Sequence, residues 1–114
     1  MAVIEWEPQT WQLYNDLLEN ARIEYGEKTA RRWENEIVHI YDRLKKYPTS
    51  YTQEEMLRNK QTLYRRCLLM SRRFKLIYYY DNAEDIVHIV DIWDTLMNPK
   101  TLAKRIKQDS PTLF

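Results

Sequence analysis

Seven basic side chains and no acidic one fall between residues 56 and 80: Arg58, Lys60, Arg65, Arg66, Arg72, Arg73 and Lys75. Aromatic residues interleave with them at Tyr64, Phe74 and the run Tyr78-Tyr79-Tyr80. Guanidinium and ammonium groups stabilise charge on a phosphate, and an exposed ring stacks on a base, so such a block can grip a polyanion. A solvated strand face would carry the same charges, and composition leaves both readings open. Whole-chain net charge, only +1, hides the block: residues 1–55 hold eleven acids against seven bases, and residues 81–114 six against four.

Other chemistry finds little support. His39 and His88 are far apart in the chain, and no metal-ligand spacing links them. His88 sits in an otherwise apolar run, which suits a histidine hydrogen-bonded on a sheet as well as a catalytic one. A single cysteine, Cys67, excludes an internal disulfide and reads as a buried thiol. Asp91 and Asp94, three apart on a strand, face opposite sides and form no carboxylate pair. One glycine in the whole chain leaves no glycine-rich phosphate loop, and no cofactor is expected.

The elements that must position these groups follow from periodicity. Val3 to Trp6 is β-prone. Trp11, Tyr14, Leu18, Ala21 and Tyr25 recur at three and four, predicting a helix over 9–25 that stops at Gly26. Ala30, Trp33, Ile37, Ile40 and Leu44 do the same for a second helix over 27–46, closed by Pro48. Thr52 and Glu55 have capping-box spacing for one helical turn. The period then changes to two, predicting strands over 62–70, 74–81 and 86–93, and Asn98-Pro99 opens a short helix over 100–107. The expectation is α+β: β-α-α-β-β-β-α, an antiparallel sheet with a helical hairpin on one face and the other face open. The 114 residues suit one domain, 1–114. No run approaches the roughly 20 apolar residues of a membrane span. With no secretory signal pattern at the start, a cytoplasmic protein without membrane contact is expected.

This order, with Tyr64-Arg65-Arg66, the strand Phe74-Lys75-Leu76-Ile77-Tyr78-Tyr79-Tyr80-Asp81 and the stretch Val87 to Thr95, resembles the RelE/ParE toxin superfamily over essentially the whole chain. The resemblance implies the toxin of a type II toxin–antitoxin (plasmid-stabilization) module, partnered by a cognate antitoxin. One branch cleaves mRNA on the ribosome as a metal-free endoribonuclease. The other inhibits DNA gyrase and is no nuclease. A relative whose toxicity has decayed is the third reading. Under the first, Arg65 and Lys75 are the expected catalytic residues. Arg66, Arg73, Tyr79 and Asp94 are the expected substrate contacts, with no metal. Strand alternation lets only one of Arg65 and Arg66 line the open face, and the family match favours Arg65. Leu96 and Leu102 stand where the nuclease branch has an arginine and a tyrosine, so that branch's proton and charge transfers would need other groups, with Asp94, His88 and Tyr79 nearest.

Overall fold

The computed structural model describes residues 1–106. β1 (Val3–Trp6) leads into α1 (Pro8–Tyr25) and α2 (Glu27–Lys46). A 3-10 turn (Glu55–Leu57), β2 (Tyr64–Leu69), β3 (Phe74–Asp81), β4 (Ile86–Asp94) and α3 (Pro99–Ala103) follow. The expected order holds, but the last helix is shorter than expected: it begins at Pro99 and stops at Ala103, residues 104–106 are not helical, and Lys107 lies outside the described residues. The 3-10 turn is capped by Glu54, whose side chain accepts the Met56 N–H at 3.1 Å, rather than by the expected Thr52.

Gly26 is the whole connection between the helices. Its φ of +96° lies where side chains are disfavoured, and it lets α2 turn straight back along α1. The hairpin packs Tyr14, Leu18, Ala30, Ile40 and Leu44 against Cys67, Leu69, Leu76, Tyr78, Val87, Ile89 and Ile92 of the sheet.

The sheet runs β1-β4-β3-β2. β2, β3 and β4 form the expected antiparallel meander, but β1 pairs with β4 in parallel, Val3 opposite Ile86 and Trp6 opposite Ile89. The helical hairpin carries the chain from one sheet edge to the other, which is what a parallel first strand requires. The outer edge of β2 is not bare: Glu54 N–H donates to the Tyr64 carbonyl at 2.8 Å and Arg66 N–H to the Thr52 carbonyl at 2.9 Å.

Between β3 and β4 the register slips: Tyr78 faces Ile89 but Ile77 faces Asp91, leaving Val90 as a bulge. With period two, one extra residue exchanges the faces of everything after it. Ile92 therefore joins the helix-side core, while Trp93 turns to the far face with Tyr64 and Ile77. That face is only partly open, a departure from the expectation. Leu57, Leu102 and Ile106 cover one end of it, because three large apolar side chains there would otherwise meet water.

Candidate active site

Period two sends Arg66 and Leu68 to the far face with Tyr64, and Arg65 to the helix side with Cys67 and Leu69. This corrects the expectation for Arg65, whose Nη1 donates to the Tyr51 carbonyl at 2.8 Å. The Tyr51 ring stands edge-on to Tyr78 at 6.2 Å, and the Tyr78 hydroxyl donates to the Pro48 carbonyl at 2.8 Å. Arg65 thus ties down the 48–53 connection. Its shared face with Cys67, which had to be buried, decides its direction.

On the far face Arg66 and Lys75 meet over Glu54. The Glu54 carboxylate is 2% exposed, and its Oε1 accepts from Lys75 Nζ at 2.9 Å and lies 3.9 Å from Arg66 Nε. A buried carboxylate is costly unless paired, so Glu54 holds both cations in place from beneath. Lys75 Nζ also lies 5.6 Å from the centre of the Trp93 ring. Above them is a concavity of about 290 Å³ whose wall includes Arg66, Lys75, Trp93, Asp94 and Leu102.

Asp94 reaches this pocket but is already engaged. It accepts from Arg73 Nε at 3.0 Å, Arg73 Nη2 at 3.2 Å and the Leu96 N–H at 2.9 Å. The Arg73 hydrogen bonds, then the Leu96 N–H, hold its carboxyl below the ordinary aspartate value. Arg73 itself touches the pocket only through Asp94. Tyr79 belongs to the other end of the face, where it stacks on His88 at 4.8 Å and meets Tyr64 edge-on at 5.7 Å. It lies four positions along β3 from Lys75, about 13 Å at strand rise. Leu102 lines the pocket and is buried, whereas Leu96 is 76% exposed.

The structure therefore brings Arg66, Lys75 and Asp94 together and leaves Arg65, Arg73 and Tyr79 outside. Glu54 and Trp93 went unread in the sequence. So did the Asp91–Arg105 clamp, in which Arg105 donates to both Asp91 oxygens at 2.9 and 3.0 Å and fixes the segment after α3 to the sheet. The acidic pair Glu54-Glu55 ahead of a basic strand is the available signal for Glu54. Among the described residues, no group of three or more His, Cys, Asp or Glu is placed to hold a metal.

No family model matches the sequence, and no curated protein matches it. Among solved structures, the crystal structure of the isolated E. coli RelE toxin aligns with a TM-score of 0.55 and 12% identity, over 94% of this chain and 100% of that one. The fold is RelE-like. At 12% identity the likeness concerns the fold; the side chains of this RelE-like sheet must speak for themselves.

Proposed function

We propose that this chain is the toxin of a type II toxin–antitoxin module and acts as a ribosome-dependent mRNA interferase. The observation that carries the reading is the Arg66–Lys75 pair, two cations set 3.9 and 2.9 Å from one buried carboxylate and facing a concave pocket. In RNA cleavage the ribose 2′-hydroxyl gives its proton to water as its oxygen bonds to phosphorus, and the bond from phosphorus to the 5′-oxygen breaks, that oxygen taking up a proton as it leaves. Arg66 and Lys75 would stabilise the charge gathering on the phosphate. With leucines at 96 and 102, the ammonium of Lys75, held by Glu54, is the acid in the pocket wall that would protonate the leaving 5′-oxygen, since Asp94 is held as a carboxylate by Arg73. The RelE-like fold and a cationic sheet face support this reading. A cognate antitoxin would cover the same face, its acidic groups meeting Arg66 and Lys75. The setting is cytoplasmic; among the described residues no helix is long and apolar enough to cross a membrane.

Leu102 in the pocket wall favours a second reading, a non-enzymatic gyrase-binding toxin, which needs a surface rather than acid–base groups. Inducible expression without an antitoxin separates the two. Rapid loss of protein synthesis is expected for the interferase, and filamentation with DNA damage for the gyrase inhibitor. A normal growth curve would mean a decayed toxin. Arg66→Ala/Lys75→Ala should abolish RNA cleavage; arrest of translation persisting unchanged in that double variant sinks the nuclease reading.

A further inference from the structure

A second concavity, about 500 Å³ and thus of ligand-site size, lies where the Gly26 end of the helical hairpin meets the β2–β3 turn. Tyr25 and Trp33 stand edge-to-face in its wall, 6.0 Å apart at 72°. Phe74 also lines it, with the Arg73 guanidinium 5.4 Å from the ring centre. Tyr25 is 60% exposed, so a large ring is offered to solvent at the rim instead of being packed away. Arg32 reaches the same space and makes no ion pair among the described residues. Arg73 spends Nε and Nη2 on Asp94, which leaves its Nη1 for another acceptor.

The turn that forms the far rim is held in an unfavourable shape. Met70, Ser71 and Arg72 have φ of +53°, +57° and +70°, three consecutive residues with side chains in the left-handed region. The Glu36 carboxylate fixes it by accepting the Met70 N–H at 2.9 Å. In this shape the turn places Ser71 and Arg73 in the cavity wall.

We infer that the concavity is a nucleotide subsite: Tyr25, Trp33 and Phe74 receive one unstacked base, and Arg32 with Arg73 receives its phosphate. Stacking platforms beside guanidinium groups are how proteins hold single-stranded nucleic acid. Glu24, the carboxylate in the lining, repels phosphate and accepts N–H groups, so the base edge lies on its side. Base-plus-phosphate chemistry could come from a free nucleotide or from a strand. A strand is favoured because Arg73 of this cavity is bonded to Asp94 of the Arg66–Lys75 pocket, which joins the two sites around the end of the sheet. That extension rests on the interferase reading; the nucleotide site itself does not.

The test follows the four indole N–H signals of the full chain by NMR during titration with a hexaadenylate ribonucleotide and, separately, with 5′-AMP. The Trp33 signal should shift with the hexamer while those of Trp6 and Trp11, which pack against each other at 5.2 Å, stay put and report an intact fold. Arg32→Ala and Tyr25→Leu, both at exposed positions, should each weaken hexamer binding about tenfold, Tyr25→Leu through one lost stack and Arg32→Ala through one lost phosphate contact. A silent Trp33 with both probes overturns the proposal, as does unchanged affinity in the two variants. Binding of 5′-AMP as tight as that of the hexamer keeps the nucleotide site and overturns the strand path. Arg66→Ala/Lys75→Ala should leave the 5′-AMP response intact, so failure of the interferase reading and failure of this site show in different measurements.

Discussion

Burying a carboxylate is costly unless cations pair with it, and buried Glu54 has Lys75 at 2.9 Å and Arg66 at 3.9 Å. Glu54→Ala should therefore loosen both cations and lower stability by about 1–3 kcal/mol in urea unfolding, toward the low side of a broken buried pair because Lys75 retains partial solvent contact. Glu54→Gln, which still accepts the Met56 N–H, should cost less. A loss below a few tenths of a kcal/mol in Glu54→Ala would mean that the carboxylate does not organise the pocket. Cys67 is inert for a related reason: burial, then the nearby Glu36, pushes its thiol up to about 12. The sign follows from linkage. The unfolded thiol ionises near pH 8.5 while the folded one holds its proton, so this contribution is full below that pH and lost as pH rises toward 12. Native protein at pH 8 should resist thiol labelling until denaturant is added. The same cysteine shows what was legible at this scale. Reading Cys67 as core already placed Arg65 on the helix side, since residues two apart on a strand share a face. The family match pointed the other way, and alternation won. Lys75 could be placed from its strand; Glu54 could not, because its burial depends on the far edge of the sheet folding back over it.

Among the elements, both helices could be read to within a residue, since their stripes at three and four meet a single glycine. Their spacing says nothing of where β1 pairs, because a four-residue strand of apolar and acidic residues suits either edge. The β4 bulge was hidden for a different reason. Ile89-Val90-Asp91-Ile92-Trp93 offers apolar residues to both faces, so alternation cannot show the slip at Val90. The slip is built in nonetheless: Thr10, 2% exposed, donates its hydroxyl to the Val90 carbonyl at 2.9 Å, giving the bulge a partner from α1. Two substitutions test the backbone. Gly26→Ala meets nothing within 4 Å of the new Cβ, so its whole penalty is conformational, about 1–3 kcal/mol for a side chain at φ +96° and ψ 170°, to be read from the shift in the unfolding midpoint. Ser71→Gly works in the opposite sense. Relief of left-handed strain at φ +57° outweighs the added freedom of the unfolded chain, and a gain of up to about 1 kcal/mol is expected. A destabilised Ser71→Gly protein would show that the turn is not strained.

At the scale of the molecule, the seven positive charges of residues 56–80 do not form one surface. Arg65 donates to the Tyr51 carbonyl on the helix side, Arg73 bonds Asp94 and lines the cavity at the end of the helical hairpin, and Arg66 and Lys75 alone of the seven line the far-face pocket. Two descriptions of RNA binding then make different forecasts. A diffuse basic block predicts that any one of the seven charges contributes equally to the salt dependence. A built pocket predicts that the contribution is concentrated. Each phosphate neutralised on a single strand contributes a slope of about −0.7 in the logarithm of affinity against the logarithm of salt. Arg66→Ala and Lys75→Ala should each flatten the slope by about that amount, whereas Arg65→Ala should leave it unchanged while lowering stability through the loosened 48–53 connection. Fluorescence titrations of a short RNA at three salt concentrations are sufficient to read the difference. If Arg65→Ala flattens the slope as much as Lys75→Ala does, the charge acts as a cloud, and the pocket over Glu54 loses its claim to be where the phosphate sits.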